Sequence, residues 1–345
     1  MAIAVYVDDT LYLSSSIEAI SKVKAFLSAR YEMRDLGDAK NFLGIRVSRD
    51  RANRRLRIDQ QEYCEGIVKL WGMEKTKRDT PMTRGCKLGK SVFEGQDALP
   101  VVTEEDLRVY KGMLGSLQYS ATATRPDISF AAGRLAQVST AYPPSKQHWD
   151  ELFQSYGYLS EHPDLGIEYR YMEKDFLKSY CDSDWAECYY EKPYHSTSGY
   201  SWQLAGGTVI WKSKLQSKLS TSSAMAEVYA LNHSVDEGIW LRNILKALKP
   251  LADVSKLVDL EEPITILEDN QAAIKMCTSP GNHQRTKAWG MNLYRMKEEV
   301  DAQRFDLTWI PSTDNAADLL TKSLGRKLFE KHVEELGMRK GREMP

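Results

Sequence analysis

Runs in which apolar and β-branched residues alternate with polar ones dominate the second half of the chain. Five such runs are predicted as strands, over residues 177–181, 196–204, 208–211, 263–267 and 305–310. Gly206 and Gly207 are expected to form the turn between the second and third strands. Helical spacing predicts helices over residues 224–248, 271–276, 286–302 and after Pro311. This order predicts an α/β domain with a five-stranded mixed sheet flanked by helices.

The first half combines a short β pattern with a helical one. An apolar run, two acids and a second apolar run predict a hairpin over residues 2–13, followed by a helix over residues 17–31. Further helices are predicted over residues 60–72, 106–119, 124–138 and 148–159. The polar, Gly- and Ser-containing stretch 87–102 is expected to be a linker. The predicted divisions are an α+β segment (1–85), a mainly helical segment (86–175), the α/β domain (176–325) and a basic tail (326–345).

Composition narrows the class of protein. The chain has 345 residues, 42% hydrophobic and 28% charged, which is typical of globular domains. Its 47 Lys and Arg against 48 Asp and Glu give a formal charge of −1, which excludes a uniformly basic coat but leaves room for a local basic patch.

Neither a membrane segment nor a disulfide framework is expected. No apolar run approaches the ~20 residues of a membrane helix, and the N-terminus lacks the basic start of a signal peptide. The 5 cysteines are widely spaced and form no CxxC pair, so an intracellular, reducing environment fits best. The composition sets no oligomeric state.

Four acids of the α/β domain occupy positions that favour a functional site. Asp182 and Asp269 end predicted strands, where α/β sheets commonly bind ligands. Glu227 lies on the apolar face of the long helix, where a charge is costly unless it is paired or metal-bound. Asp318 lies on the short last helix. Four carboxylates at one sheet edge suit two Mg²⁺ or Mn²⁺ ions.

Neighbouring acids compete for the same roles, namely Asp184, Glu268 and Asp314. Alternation along a strand sends Glu268 to the opposite face from Asp269. Asp314 precedes Asp318 by one helical turn and is expected to cap that helix. We therefore favour Asp182, Glu227, Asp269 and Asp318.

Two further clusters each allow two interpretations. Asp8 and Asp9 form the tip of the N-terminal hairpin and can bind a divalent metal or form a solvated turn. A second cluster, with Trp202 and Trp211 interleaved, suits the backbone of a nucleic acid or forms a solvated strand edge. Its basic members are Lys212, Lys214 and Lys218.

Several blocks in the same order resemble the copia-type retrotransposon Pol polyprotein. The first half contains YVDD, FLGI, RPDI and HW, and residues 179–322 contain SYCDSDWAE, HSTSGY, TVIWKSK, LSTSSAMAEVYAL, LEDNQAAI, NHQRTK and WIPSTDNAADLLTK. The resemblance covers nearly the whole chain. It implies part of a reverse transcriptase, a connecting segment and a ribonuclease H.

The resemblance also implies roles for individual residues. Asp182, Glu227, Asp269 and Asp318 match the acids of the ribonuclease H blocks, which would use two Mg²⁺ or Mn²⁺ ions to cut the RNA strand of an RNA–DNA hybrid. Asp8 and Asp9 match metal ligands of the polymerase palm, and FLGI would be a strand at the primer terminus. Other Pol segments would be partners, in a cytoplasmic particle or the nucleus.

The sequence also departs from the family pattern. A palm needs a further Asp from an earlier strand, and only five residues precede Tyr6, so we expect no polymerase activity from this chain alone. Two histidines expected after RTK are absent from Ala288–Arg295, where Gly290 would weaken a helix. A non-catalytic nucleic-acid-binding relic, and a DNA-cutting nuclease or integrase on the same fold, therefore remain alternatives to the ribonuclease H.

Overall fold

A computed structural model describes residues 1–88, 103–137, 143–172, 176–186, 194–249, 259–279 and 290–341. In these residues strands β1 to β12 are Ala2–Tyr6, Asp9–Leu13, Asn41–Phe42, Ile45–Asp50, Arg55–Asp59, Gly166–Arg170, Leu177–Ser183, Thr197–Leu204, Gly207–Leu215, Ile264–Glu268, Phe305–Trp309 and Met338–Arg339. Helices α1 to α9 are Ile17–Ser28, Gln61–Leu70, Glu104–Ala123, Ser129–Leu135, Lys146–Glu161, Ser223–Leu248, Gln271–Thr278, Gly290–Asp301 and Arg326–Glu335. Three 3₁₀ helices are Pro126–Ile128, Ser312–Asp314 and Ala316–Leu320.

The predicted five-stranded mixed sheet is confirmed. Its order is β11-β10-β7-β8-β9, in which β10 runs parallel to both β7 and β11 while β7, β8 and β9 are antiparallel. Helix α6 packs on one face through an apolar core that includes Trp202, Val228 and Leu231. The 3₁₀ helix Ala316–Leu320 and α4 pack on the other. The mixed sheet is therefore covered on both faces.

The turns of two hairpins differ from the predictions made from the sequence. Ala205 and Gly206 have positive φ (53° and 76°) and connect β8 to β9, so Gly207 begins a strand rather than ending the turn. Leu43 and Gly44 have φ of 51° and 73° and connect β3 to β4, so the predicted FLGI strand is interrupted by a two-residue turn between Phe42 and Ile45. In both places the primed turn geometry needs two consecutive residues of positive φ, which matches the twist of a hairpin.

A second five-stranded sheet, with the order β12-β6-β5-β4-β3, joins distant parts of the chain. Its central strands β4, β5 and β6 are antiparallel, and β12 pairs with β6 through Met338 and Ile167. The sheet takes strands from the predicted α+β segment, the helical segment and the basic tail. These three segments therefore share one sheet.

The segment expected as a basic tail folds onto the rest of the chain. Phe329 and Val333 lie four residues apart on α9 and are buried, as are Leu336 and Met338. The segment was predicted as a tail because of its many positive charges, which do not show that one face of α9 is apolar. Residues 342–345 lie outside the described part.

The N-terminal hairpin and helix α1 are much more exposed than the two five-stranded sheets. In the described residues β1 pairs only with β2, and α1 has no buried residue. Val5, Tyr6 and Phe26 are each more than half exposed. Strand β1 therefore presents an exposed edge in the described structure. None of the described helices combines the length and the apolar composition needed to cross a bilayer.

A buried ion pair lies between the helices and the second sheet. Arg125 donates to both carboxylate oxygens of Asp127, and the Tyr158 hydroxyl donates to Asp127 Oδ2 at 2.8 Å. Arg125 Nη1 also donates to the carbonyl of His162 at 2.9 Å. Because Arg125 and Asp127 are both buried, removing either one would leave an uncompensated charge. The segment Pro126–Ile128 forms a separate 3₁₀ helix, so the helix predicted from residue 124 begins at Ser129.

The buried side chain of His148 makes the stability of the helical segment depend on pH. It is fully buried in the first turn of α5 and forms a capping box with Ser145, and burial lowers its pKa to about 4. The unfolded chain, whose histidines titrate near ~6.5, therefore takes up this proton first as the pH falls. The buried neutral His148 therefore contributes fully to stability above about pH 6.5, and this contribution is lost as the pH falls towards 4.

We expect His148→Gln to weaken the loss of stability at acidic pH. Gln keeps the capping box and cannot become charged. The difference in free energy of unfolding between pH 7.0 and 4.5 should shrink by on the order of 2 kcal/mol. Urea titrations at both pH values measure it, and an unchanged difference would show that His148 does not titrate as proposed.

Candidate metal centre

Three carboxylates converge at the edge of the mixed sheet. Asp182, Glu227 and Asp269 each offer an oxygen, and these three oxygens all lie within 4.8 Å of one another. Asp182 lies near the carboxyl end of β7 and Asp269 directly follows β10. Because β7 and β10 are parallel neighbours, their carboxyl ends meet at the same edge.

Helix caps place the other elements of the site. The Ser222 side chain accepts from the Met225 amide and starts α6, so Glu227 falls in the second turn. The Asn270 side chain accepts from Ala272 and Ala273 and starts α7 directly after Asp269. Both helices thus begin within a few residues of an acid, and both first turns lie at the sheet edge.

Asp318 is connected to this group through a lysine. Lys322 Nζ lies 2.7 Å from Asp318 Oδ1 and 3.2 Å from Asp182 Oδ2. The Thr321 hydroxyl also donates to Asp182 Oδ2. We assigned no role to Thr321 or Lys322 from the sequence. Lys322 is four residues after Asp318, which is a spacing that allows an ion pair on a helix.

Burial and mutual repulsion dominate the electrostatics. Burial, and then the charges of Glu268, Asp182 and Asp269, raise the pKa of Glu227 well above its usual range. Burial and then Asp182 raise the pKa of Asp318 to about 7, although Lys322 opposes them. Burial would lower the pKa of Lys322, but Asp182 and Asp318 outweigh it and raise that pKa. The site therefore holds its negative charges at a cost.

The donor set fits a divalent cation. Glu227 is only 4% exposed, and its Oε2 has no hydrogen-bond partner among the described residues, like Oε2 of Glu268. A buried oxygen without a partner is destabilising, and a bound cation removes that cost. Carboxylate oxygens are the ligands that Mg²⁺ and Mn²⁺ prefer.

The competing acids have other partners. Asp184 accepts from Arg134 Nη2 of α4 at 2.9 Å, which ties the end of β7 to the helical segment. Glu268 is fully buried and accepts from the Asn270 amide at 3.0 Å. It lies two residues after Ile266, on the face of β10 towards α6.

The expectation that Asp314 caps the last helix is wrong. Asp314 instead pairs with Lys331 of α9 at 2.5 Å. The cap of the 3₁₀ helix Ala316–Leu320 is Asn315, whose side chain accepts from the Ala317 amide at 3.1 Å. Asn315 Nδ2 also donates to the carbonyl of Cys181 at 2.8 Å, so the cap ties this helix to β7.

Asp8 and Asp9 lie at the tip of the β1–β2 hairpin, as expected. Val7 and Asp8 form the turn and Asp9 begins β2, and both acids are exposed. In the described part of the chain, the one group of three or more potential metal ligands is that of Asp182. No third ligand therefore joins Asp8 and Asp9 there.

The lysine cluster lies on a different face from Asp182. Lys212, Lys214 and Lys218 are all exposed. Lys212 pairs with Tyr200, on the face towards α6, whereas Asp182 pairs with Gly199, on the face towards the 3₁₀ helix Ala316–Leu320. The structure therefore does not bring these lysines into the carboxylate group.

The interleaved tryptophans expected beside the lysines are engaged elsewhere. Trp202 is fully buried, and Trp211 donates to the carbonyl of Ala121 at 2.8 Å. Alternation along β9 places Trp211 on the opposite face from Lys212. The expectation of an aromatic contribution to that surface is therefore wrong.

His283 and Gly290 are the remaining residues that the sequence singled out. His283 and residues 280–289 lie outside the described part. Gly290 is the first described residue of α8, and nothing lies within 4 Å of the position where a Cβ would be.

Comparisons of sequence agree with this organisation. The family model described as "Reverse transcriptase (RNA-dependent DNA polymerase)" matches residues 1–84. The chain is 30% identical over 338 residues to the retrovirus-related Pol polyprotein from transposon TNT 1-94 of Nicotiana tabacum, covering 96% of this chain and 24% of that protein. It is 31% identical over 335 residues to the Pol polyprotein from transposon RE2 of Arabidopsis thaliana, covering 97% and 21%.

A shorter relative is covered more fully. The putative transposon Ty5-1 protein of Saccharomyces cerevisiae is 30% identical over 237 residues, which are 68% of this chain and 73% of that protein. The chain spans about a quarter of the length of the Pol polyproteins named above.

Two solved structures are similar to this chain at low TM-scores. A ribonuclease H1 isolated from compost has 15% identity and a TM-score of 0.30, covering 46% of this chain and 98% of that chain. A foamy viral protease-reverse transcriptase in complex with RNA/DNA hybrid has 13% identity and a TM-score of 0.46, covering 90% and 36%. The fold described above rests on the observed strand order.

We expect Glu227→Gln to stabilise the metal-free protein. Gln keeps the volume of the side chain and removes one of several repelling buried charges. In EDTA at pH 8 the free energy of unfolding should rise by about 1–2 kcal/mol. Glu262→Gln, at an exposed acid before β10, is the matched control and should change it by less than about 0.5 kcal/mol. A destabilised Glu227→Gln in urea titrations would contradict this electrostatic picture.

Proposed function

Because the chain belongs to the family of copia-type retrotransposon Pol polyproteins, we propose that its C-terminal part is a ribonuclease H that cuts the RNA strand of RNA–DNA hybrids. The observation that carries the proposal is the group formed by Asp182, Glu227 and Asp269 at one sheet edge, with Asp318 joined to it through Lys322. These side chains come from four different elements, and such convergence is expensive to keep without a ligand.

The carboxylates have a clear chemical use. Two bound Mg²⁺ or Mn²⁺ ions would activate a water for attack on the phosphate and stabilise the leaving 3′ oxygen. Asp182 would contact both ions, because it lies between Glu227 and Asp269 on one side and Asp318 on the other. The Thr321 hydroxyl orients Asp182 by donating to Oδ2.

The helical segment supports the same site from outside. Arg134 donates a hydrogen bond to Asp184, which lies two residues after Asp182. Trp211 of β9 donates a hydrogen bond to the carbonyl of Ala121 in α3. Preorganised carboxylates need such support, because small displacements change ion geometry. We propose that Arg134 positions the end of β7 and touches no substrate.

Lys212, Lys214 and Lys218 are proposed to bind the phosphates of the hybrid. They are exposed on or just after β9, which is an edge strand of the mixed sheet. Asp182 and Asp269 lie at the carboxyl ends of the central strands β7 and β10, so these lysines and the carboxylates would contact different parts of a bound duplex. Contacts with 2′-hydroxyl groups would then select the RNA strand.

The reverse transcriptase segment is proposed to be inactive in this chain alone. Asp8 and Asp9 have no third ligand in the described residues, and β1 pairs only with β2 there. Other segments of a Pol polyprotein would supply the missing palm strands, and they are the proposed partners. Purified chain that extends a primer on a template would overturn this part of the proposal.

The alternative is a relic that binds hybrid without cutting it. It is favoured by α8, where Met291 and Tyr294 are largely exposed in the segment that departs from the family pattern. A DNA-cutting nuclease is the third possibility, and substrate choice distinguishes it.

We expect the full chain to cut a labelled RNA–DNA hybrid with Mg²⁺, leaving 5′-phosphate and 3′-hydroxyl ends. Asp269→Asn should reduce the rate by more than about 1,000-fold, because it keeps the shape and removes a ligand charge. Asp306→Asn, at an exposed acid of β11, is the control and should cut normally. Binding without metal-dependent cutting would favour the relic, and cutting of DNA duplex would favour the nuclease.

We expect Lys214→Ala to weaken hybrid binding and to lower its salt dependence. Each lost phosphate contact lowers the slope of log K against log salt by about 1. Lys69→Ala, at an exposed lysine of α2, is the control. Fluorescence anisotropy at several salt concentrations measures both, and equal slopes in the two variants would remove Lys214 from the interface.

A further inference from the structure

The ammonium of Lys322 lies between the carboxylates of Asp182 and Asp318. Its Nζ is 2.7 Å from Asp318 Oδ1 and 3.2 and 3.3 Å from the two oxygens of Asp182. Among the described residues no other basic side chain forms an ion pair with either acid, and the lysine side chain keeps 36% of its surface exposed.

The ammonium occupies the point where a bridging metal would bind. An ion shared by Asp182 and Asp318 must lie between their oxygens, at ~2.0–2.1 Å for Mg²⁺. Lys322 already lies between the same oxygens at hydrogen-bond distance. Two cations cannot share this space, because their repulsion in a partly buried site is strong.

The group formed by Asp182, Glu227 and Asp269 is not blocked in this way. Asp182, Glu227 and Asp269 approach one another within 4.8 Å, and Lys322 makes no ion pair with Glu227 or Asp269 in the described residues. In the described part of the chain, one carboxylate group therefore has no side-chain cation paired with all of its members, and the neighbouring pair of acids holds the Lys322 ammonium. Both groups share Asp182.

We propose that Lys322 is an internal cation that holds the second metal position in the metal-free chain. The proposal rests on the proposed two-metal function. The first ion binds to Asp182, Glu227 and Asp269 without competition. The second ion binds between Asp182 and Asp318 only when the ammonium leaves, and the phosphate of a bound hybrid offers that ammonium a new partner.

This arrangement makes entry of the second ion depend on substrate. Without hybrid, displacing Lys322 leaves an ammonium without its two carboxylates, which is unfavourable in a partly buried site. With hybrid, the phosphate compensates both the lysine and the added metal charge. The chain would then assemble its full charge only around a substrate.

The main experiment counts Mn²⁺ ions bound to the full chain by electron paramagnetic resonance, without substrate. The parent should bind one ion tightly and a second weakly. Lys322→Met keeps the apolar stem and removes the charge, so the second ion should bind at least about 10-fold more tightly. Lys322→Arg keeps the charge and should behave like the parent.

A further variant identifies the position of the second ion. Lys322→Met combined with Asp318→Asn should return the chain to one tight ion, because the second position has lost a ligand. Identical isotherms for parent and Lys322→Met would overturn the proposal. Since the readout is ion binding, this failure is distinct from the absence of hybrid cutting, which would count against the proposed function alone.

A measurement on the unmodified chain covers the case in which Lys322→Met does not fold. Acetylation of Lys322, quantified by peptide mass spectrometry, should be slow without metal and several-fold faster at saturating Mn²⁺, because the ammonium is then displaced. Lys331, paired with Asp314 at the surface, is the internal control. Equal Lys322 labelling with and without Mn²⁺ would also overturn the proposal.

Discussion

Repulsion between buried carboxylates is the constraint around which the mixed sheet and its neighbours are arranged. Asp182, Glu227 and Asp269 lie within a few ångströms of one another, and Glu268 lies close enough to raise the pKa of Glu227. Such a group moves apart unless each member is held by a separate rigid element. A strand holds one acid, a long helix another and a strand end the third, while Thr321 and Lys322 add direct bonds to Asp182.

The support of this group extends beyond the mixed sheet. Asn315 bonds the last 3₁₀ helix to the carbonyl of Cys181, which precedes Asp182. Arg134 reaches from α4 to Asp184 on the other side of the same acid. Asp182 is therefore flanked by anchors from two different parts of the chain. The helical segment therefore acts as a structural support of the centre.

The sequence was sufficient for the mixed sheet and for the acids at its edge. Period-2 runs and strand ends carry that information locally for Asp182 and Asp269, and the apolar face of the long helix carries it for Glu227. It was not sufficient for Lys322, because no local pattern states which side chain will lie between two carboxylates from distant elements. The strand Gly166–Arg170 was missed for a similar reason, since its stability comes from pairing with residues about 110 positions earlier and 170 positions later. Trp202 was misplaced because alternation within one strand does not say which face is covered.

The pairing of β6 with both β5 and β12 has a consequence for the order in which the chain can fold. Residues 166–170 find their first partner as soon as they are synthesised, but their second partner, Met338–Arg339, is synthesised about 170 residues later. The second sheet therefore stays one strand short while the whole mixed sheet is being translated. Contacts over such sequence distances form slowly, so the edge of β6 stays unpaired during this interval, and chaperones or neighbouring chains have time to contact it.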